Sequence, residues 1–472
     1  IVRAKMRPDG DEFVNRIITL TLAVLAVATV TLMLAAPLLV RVYAKFDDPA
    51  ALRLTTIFAV ICLPQLFFYG LFTILGQVLN ANGRFAGFMW APALANVVAV
   101  AGLVWFMQAG YPSGASPADW TPAMIGILAG TATLSIAIQA LALVIPLRRI
   151  GFRYRPVWGV RGHGLGEVSQ VAKWTFGSLV VSQLGYVVTS RVLTGATERG
   201  KVLGESVSGL AAYQNAFLIV MLPHGLITVS LVTALYTSLS EAASRDDTRQ
   251  VRRYHDQGLR LPAVIIVPGC VFLAVLAPYI TSTFFFSNSL DQTRAIAVVL
   301  SVIAWMAIPM SWTYLNDRVF YAHEMTWMSF RLQCVTTGVA TIGAVVALQV
   351  EPARTAMVLG AGQVLAFVVS AAVGFWVLRR MIGNLGLRST ARTYVLLLLP
   401  AIVTAVGLLL AIGRLFPDLG ETRGASGLLA GGLVLGAAGA IQLGVTWGVA
   451  SLLGVREIST ALQPVTRRLR RR

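Results

Sequence analysis

The feature that most constrains this chain is the length and spacing of its apolar segments. A hydrocarbon core of roughly 30 Å requires about 20 helical residues to cross it, and hydropathy gives twelve segments of that length. Of the 472 residues, 57% are hydrophobic and 12% are charged, whereas soluble globular domains carry about 25% charged residues. We therefore predict an all-α polytopic membrane protein. The expected spans are approximately 17–42, 54–79, 86–108, 121–146, 170–194, 210–239, 261–286, 295–316, 328–350, 355–378, 393–413 and 425–454.

The basic residues are distributed unevenly between alternate loops. Of the 38 Lys and Arg residues, 28 lie in the N-terminal stretch, the turn at Arg84, four later loops and the C-terminal tail, and 10 lie in the loops of the other set. The positive-inside rule places the richer set, and with it both ends of this chain, in the cytoplasm. The net charge of +18 is then explained by loops that face anionic lipid headgroups, and no nucleic-acid-binding module accompanies it.

The longest basic connector, 147–173, separates four spans from eight. Transporters are commonly built from paired bundles of similar size. A division into four and eight spans fits this rule if two spans precede Ile1 and the last two spans are an addition to the second bundle. We therefore expect that two spans and the true N-terminus precede Ile1. The predicted organisation is an N-terminal bundle of four spans over 1–150, a cytoplasmic linker over 151–169, a C-terminal bundle of six spans over 170–385, two additional spans over 386–456 and a basic tail over 457–472.

A hairpin between Leu63 and Val98 carries more polar side chains than contact with lipid favours. Two apolar segments are joined there by a short connector, and their polar residues are Gln65, Tyr69, Gln77, Asn80 and Asn96. Unpaired polar groups in hydrocarbon cost several kcal/mol each, so we predict that the hairpin forms one wall of a polar cavity. The alternative is that these amides join helix to helix, each bond contributing less than about 1 kcal/mol.

The same hairpin carries a resemblance to a known family. The run from Pro64 to Asn96, with PQLFFYGL, LGQVLNANGRF and WAPALAN, resembles the signature hairpin of the MurJ/MviN lipid II flippase family, of the actinobacterial type. Further matches are Val181-Ser-Gln183, the run from Leu222 to Leu231, and Arg318-Val-Phe-Tyr-Ala322. The family belongs to the multidrug/oligosaccharidyl-lipid/polysaccharide exporter superfamily. Its members have fourteen spans, so the resemblance implies that this chain corresponds to spans three to fourteen.

The resemblance implies a flippase that moves undecaprenyl-pyrophosphate-linked lipid II from the inner to the outer leaflet by alternating access. It also implies a bacterial plasma-membrane location and, as partners, the lipid-linked precursor and cell-wall or division proteins. Anionic lipids at the basic loops are expected from the loop charges described above. The polyprenyl tail would lie beside the last two spans, where glycines repeat at four-residue spacing and either pack or leave a groove. The alternatives are another exporter of the superfamily for drugs or other polyprenyl-linked glycans, a membrane enzyme acting on polyprenyl phosphates, and a non-enzymatic cell-wall scaffold.

The candidate substrate-binding residues are Arg191, Gln183, Gln65, Gln77 and Asn215. Many family members have an Asp-Arg pair in the sixth span present here, but this chain reads Tyr213-Gln214-Asn215-Ala216 and carries no charge there. Arg191 is the candidate replacement, with Gln183 two turns before it, because a guanidinium can pair bidentately with a pyrophosphate. The other interpretation is that Arg191 extends to the outer headgroups. Arg84, Arg318 and Asn80 are predicted to form a cytoplasmic gate.

The spans carry no residues that suggest catalysis or metal binding. They lack a carboxylate pair, and the three cysteines lie in apolar segments without metal-ligand spacing. No nucleotide-binding glycine loop or HExxH motif is present. We therefore expect a protein that is not an enzyme and that uses no cofactor, metal or nucleotide. Pro223 predicts a kink in the sixth span.

Overall fold

The computed structural model describes residues 10–112, 115–152, 154–158, 165–204, 207–420, 424–455 and 457–458. Within those ranges the chain forms eighteen α-helices and no β-strand. Twelve helices, or runs of consecutive helices, are long and apolar enough to cross a membrane. The all-helical membrane fold and the number of spans are thereby confirmed. The predicted linker over 151–169 and the predicted tail over 457–472 fall partly outside the described residues.

The chain divides into two compact units, 1–164 and 165–472. The first unit contains four of the spans and the second contains eight. In chain order, the helices of the first unit are α1 (Gly10–Leu34), α2 (Ala36–Tyr43), α3 (Pro49–Cys62), α4 (Gln65–Ala81), α5 (Phe85–Gln108), α6 (Pro122–Ala142) and α7 (Val144–Arg149). Those of the second are α8 (Leu165–Leu203), α9 (Leu210–Pro223), α10 (Ser230–Ser244), α11 (Thr248–Val275), α12 (Ala277–Phe284), α13 (Leu290–Ile303), α14 (Ala307–Ala322), α15 (Thr326–Ala347), α16 (Pro352–Ile382), α17 (Leu387–Leu415) and α18 (Gly424–Leu452).

The predicted hairpin is present as α4 and α5, joined by a turn of only three residues. Gly83 adopts a φ of 69°, a left-handed conformation that glycine tolerates without steric cost. The backbone N–H of Arg84 then donates to the carbonyl of Leu79, which ends α4. Phe72 on α4 and Phe88 on α5 stack with ring centroids 4.8 Å apart. The two helices are therefore antiparallel neighbours.

The span that precedes this turn is broken at Pro64, which separates α3 from α4. Proline lacks a backbone N–H and its ring clashes with the preceding turn, so carbonyls near it lose their helical donors. The Thr133 hydroxyl on α6 donates to the Ile61 carbonyl at 2.7 Å. The Gln65 side-chain amide in turn donates to Thr133 Oγ1 at 3.2 Å. The break is thus held by a neighbouring helix.

The chain that follows α7 is fastened to α1 by two buried side chains. Asn15 Oδ1 accepts a hydrogen bond from the backbone N–H of Arg155 at 3.0 Å. Thr19 Oγ1 accepts one from the backbone N–H of Val157 at 3.1 Å and lies 2.9 Å from the Tyr154 hydroxyl. Asn15 and Thr19 are 7% and 4% exposed. Being one turn apart on α1, they hold alternate backbone N–H groups of the linker.

In the second unit, α18 is attached to the long helix α11 through a carbonyl that a proline leaves free. Pro268 cannot donate to the carbonyl of Val264 one turn earlier. The indole N–H of Trp447 on α18 donates to that carbonyl at 2.8 Å. The Gln442 side chain, 1% exposed, donates to the Ala401 carbonyl on α17 at 3.0 Å. Hydrogen bonds therefore attach α18 to both α11 and α17.

The predicted kink at Pro223 takes the form of a π-helical segment, His224–Val229, between α9 and α10. Such segments are rare and are frequent at functional sites. His224 is buried, and its ring packs edge-on against Tyr314 of α14 with centroids 5.8 Å apart. Thr228 Oγ1 lies 2.8 Å from Ser311 Oγ. The segment is thus fixed against α14 on one side.

Candidate functional site

A cavity of about 510 Å³ lies between α8 and α9 in the second unit, and α15 and α16 complete its lining. This volume is within the roughly 300–1,000 Å³ typical of small-molecule sites. α8 packs against α15 and α16, and α9 packs against α13. A Cβ atom on Gly343 of α15 would lie 2.7 Å from the Cα of Gly362 on α16. The backbones of α15 and α16 are therefore in contact at these glycines, and the two helices together line one side of the cavity.

The lining of this cavity combines apolar carbon with uncharged polar groups. The polar side chains come from all four helices and are Ser182, Tyr186, Thr189, Tyr213, Gln214, Gln333, Thr336, Thr337 and Gln363. Lys, Arg, Asp and Glu are absent from the described residues that line it. A site of this composition can hydrogen-bond a neutral polar ligand, and it offers no charge to neutralise an ion.

Two of the amides that line the cavity are oriented by neighbouring hydroxyls. The Gln214 side chain on α9 donates to the Tyr186 hydroxyl on α8. The Gln333 side chain on α15 donates to Thr337 Oγ1 at 3.1 Å. An amide group carries two N–H donors and a carbonyl with two lone pairs. Each of these glutamines therefore retains hydrogen-bonding capacity for a ligand.

The predicted residues Arg191, Gln183 and Asn215 do not line this cavity. Successive residues of an α-helix are about 100° apart around its axis. On α8 the lining residues recur at one face, and by that rotation Arg191 is on the opposite face, with Gln183 between the two. Both side chains are exposed. On α9 the adjacent Gln214 lines the cavity, and Asn215 points more than a quarter of a turn away.

The predicted residues of the first unit differ in their surroundings. Gln65 is half-buried and bonded to Thr133 at the helix break described above. Gln77 is exposed on α4, at the same face as exposed Tyr69 and Thr73. These three positions repeat every four residues, so α4 presents a narrow polar strip.

Of the predicted gate residues, Arg318 has the most defined surroundings. Its guanidinium carbon lies 4.6 Å from the ring centroid of Tyr314, 5.6 Å from that of Tyr236 and 5.9 Å from that of Tyr321, and it donates to the Tyr314 hydroxyl. Arg84 is exposed in the turn after α4. The Asn80 Oδ1 is buried without a hydrogen-bond partner among the described residues.

The last helix presents part of its glycine repeat to open space. Gly432, Gly436, Gly444 and Gly448 of α18 have no atom within 4 Å of a built Cβ. A Cβ on Gly431 would instead lie 2.2 Å from the Thr283 side chain. The part of α18 at Gly431 therefore packs on α12, and Gly432, Gly436, Gly444 and Gly448 face open space.

The described residues contain no group of three or more His, Cys, Asp or Glu side chains that could hold a metal ion. The cysteines Cys62, Cys270 and Cys334 are free thiols. The chemistry offered by the described cavity is therefore hydrogen bonding and apolar contact.

Comparison with known proteins identifies what this arrangement is similar to. The family model described as lipid II flippase MurJ matches residues 3–420. A probable lipid II flippase MurJ from Synechocystis is 24% identical over 332 residues, which are 68% of this chain and 59% of the relative. A lipid II flippase MurJ from Burkholderia cenocepacia is 25% identical over 263 residues, 56% of this chain and 48% of the relative. The aligned regions thus span about half to three fifths of the length of these relatives.

Two solved structures show the same fold. A lipid II flippase MurJ in an inward-closed conformation superposes with a TM-score of 0.65 at 15% identity, covering 93% of this chain and 85% of the other. An inward-facing multidrug resistance MATE family transporter of the MOP superfamily superposes with a TM-score of 0.62 at 16% identity, covering 78% of this chain and 79% of the other. Because the family model covers most of the sequence, from residue 3 to residue 420, the chain belongs to the lipid II flippase MurJ family.

Proposed function

We propose that the full-length protein moves lipid II, an undecaprenyl-pyrophosphate-linked disaccharide peptide, from the inner to the outer leaflet of the bacterial plasma membrane. The observation that carries this proposal is the family match over residues 3–420. The twelve candidate spans support a protein that acts on a membrane-embedded substrate. The uneven distribution of Lys and Arg supports an orientation with both ends of this chain in the cytoplasm.

Alternating access would carry the polar headgroup across hydrocarbon while its long chain stays in lipid. A site for such a headgroup must offer polar partners inside an apolar bundle, since unpaired polar groups there are costly. The cavity between α8 and α9 meets that requirement with amides and hydroxyls. We assign it to the headgroup, with Gln214, Gln333 and Gln363 as its main polar contacts.

The remaining candidate contacts are proposed for other parts of the path. Arg191, on the face of α8 opposite the cavity, and Gln183, between that face and the cavity, would contact the pyrophosphate outside it. Gln77 on the polar strip of α4, with Gln65 and Asn215, would bind the headgroup at other points of the path.

Arg84, Asn80 and Arg318 would form the cytoplasmic gate. The tyrosines packed around Arg318 support this, because they hold its guanidinium in a fixed place. A guanidinium held in this way would stay at the mouth of the path and would not extend freely into solvent.

The lipid environment has two proposed contacts. The polyprenyl tail would lie along α17 and α18, where the open glycine face of α18 leaves room for an acyl chain. Anionic lipids would contact the basic loops, each Arg or Lys near the surface contributing about 1 kcal/mol. Cell-wall or division proteins are further proposed partners of the full-length protein.

The decisive experiment is complementation of a bacterium depleted of its lipid II flippase, with the full-length gene. The wild type is expected to restore growth, and the purified protein to move lipid II across proteoliposomes. Arg191→Ala is expected to impair both. Arg354→Ala, at an exposed arginine that pairs with Glu351, is the matched control and is expected to behave as wild type.

Each outcome decides a separate point. Good membrane expression without growth or lipid II movement would refute the flippase assignment, and movement of drugs in place of lipid II would favour another exporter of the superfamily. Full activity of Arg191→Ala would remove only the role assigned to Arg191.

A further inference from the structure

We infer that the cavity between α8 and α9 binds the terminal N-acetylated sugar of the substrate, and not its pyrophosphate or its peptide. The inference rests on the proposed function and names the part of the headgroup that this site receives. It makes the cavity a determinant of substrate selectivity.

The first argument is charge. The described residues that line the cavity carry no charged side chain. Burying a pyrophosphate or a peptide carboxylate without a paired charge or a metal is strongly unfavourable. In lipid II the inner sugar carries both the pyrophosphate and the peptide. The terminal sugar is the one part of the headgroup that is free of charge, so it alone matches an uncharged site.

The second argument is the placement of amides on three different helices. Gln214, Gln333 and Gln363 come from α9, α15 and α16. An N-acetyl group presents one N–H and one carbonyl, and ring hydroxyls both donate and accept. The hydroxyls of Tyr186 and Thr337 already hold two of the glutamines, so the amides approach a ligand in defined orientations.

The third argument is the apolar part of the lining. Tyr213 and Phe217 on α9 stack with ring centroids 6.4 Å apart, and Phe367 lines the cavity from α16. Binding sites that recognise small polar ligands are mostly apolar and contain a few placed polar groups. Aromatic faces suit the C–H face of a pyranose ring and the acetyl methyl. The cavity, at about 510 Å³, is large enough for one sugar ring with its acetyl group.

The test compares two lipid-linked substrates in proteoliposomes that contain the full-length protein. One is lipid II and the other is an analogue that lacks the terminal sugar. Gln333→Leu and Gln363→Leu remove one amide each and approximately preserve side-chain volume. Each variant is expected to lower the preference for the two-sugar substrate roughly two- to tenfold, the effect of one net hydrogen bond. Gln349→Leu, at an exposed position just after α15, is the matched control and is expected to keep the wild-type preference.

A second variant protects the test against misfolding. Ala340→Phe places a ring inside the cavity and is expected to reduce movement of lipid II while the single-sugar analogue still moves. If the variants lower movement of both substrates equally, or of neither, the inference is overturned. A third substrate is an analogue of lipid II that lacks the peptide. If the variants lower movement of lipid II and leave movement of this analogue unchanged, the cavity binds the peptide, and the inference is also overturned.

Failure of the proposed function gives a different result. If the wild type moves neither substrate, the flippase assignment fails. The sugar site is then decided by calorimetric titration with soluble N,N′-diacetylchitobiose. Binding to the wild type that Ala340→Phe abolishes would support the inference, and the same titration without binding would reject it.

Discussion

The attachment of the linker to α1 can be tested at single backbone amides. Thr19→Val replaces a hydroxyl with a methyl group of the same shape. It removes the acceptor for the Val157 N–H, 3.1 Å away, and the partner of the Tyr154 hydroxyl at 2.9 Å. A net hydrogen bond contributes roughly 0.5–1.5 kcal/mol, so the loss of two bonds lowers the free energy of local opening by about 1–3 kcal/mol. Since 1.4 kcal/mol is a factor of ten, amide exchange at Val157 should accelerate roughly 5- to 150-fold.

The measurement is hydrogen–deuterium exchange of the full-length protein in nanodiscs, followed on peptides that cover 154–158. Thr21→Val provides the matched control, because Thr21 lies on the same helix and is half-buried. It is expected to leave the exchange of these peptides unchanged. Equal exchange in the wild type and in Thr19→Val, with an unchanged melting temperature, would refute the reasoning. The linker would then gain nothing measurable from its contacts with Thr19.

Three further outcomes are expected. Gly343→Ala should destabilise the protein by about 1–3 kcal/mol in thermal unfolding, because the new methyl group overpacks a backbone contact. The control is Gly338→Ala, which should change thermal unfolding little because the structure leaves open space around the built Cβ. Arg318→Lys should lower the melting temperature by more than Tyr314→Phe, since the lysine loses planar stacking on several rings, and equal shifts would contradict this. Thr133→Val should cost roughly 0.6–1.7 kcal/mol and raise amide exchange at the α3–α4 break, and an unchanged exchange rate there would contradict the role of its hydroxyl.

The membrane fold could be predicted from the sequence because span length and apolarity are local properties. The ends of the helices were less predictable where a helix continues beyond its apolar segment. α8 was expected to span 170–194 and runs from Leu165 to Leu203. Its last turns are polar and are supported by an ion pair between Lys201 and Glu198 at 2.8 Å. Helix formation continues there although the segment is no longer apolar.

The candidate site was harder to predict, because it depends on which face of each helix is turned toward the others. Gln183 and Arg191 are two turns apart and share part of one face of α8, but the neighbouring helices enclose the other face. Asn215 and Gln214 are adjacent in sequence, and only Gln214 lines the cavity. That choice is made by the packing of α9, which composition does not specify.

A usable signal was nevertheless present for part of the cavity. Gln333 and Gln363 are amides within otherwise apolar spans, the same feature that drew attention to the hairpin of the first unit. Applied to every span, that criterion selects both residues. It does not select Ser182 or Tyr186, whose side chains are common in membrane helices and tolerable in many surroundings.

The π-helical segment after Pro223 determines how α10 is rotated about the helix axis relative to α9, the other half of the same span. A π turn holds one residue more than an α turn, and each residue rotates a helix by about 100°. Deleting a single residue from 224–229 would therefore turn Tyr236 away from Arg318 if Gln214 kept its place in the cavity. An alignment of relatives that moves a one-residue gap across this segment will equate positions that lie about 100° apart around the helix axis. Chain length in these six residues is thus as informative as their identity.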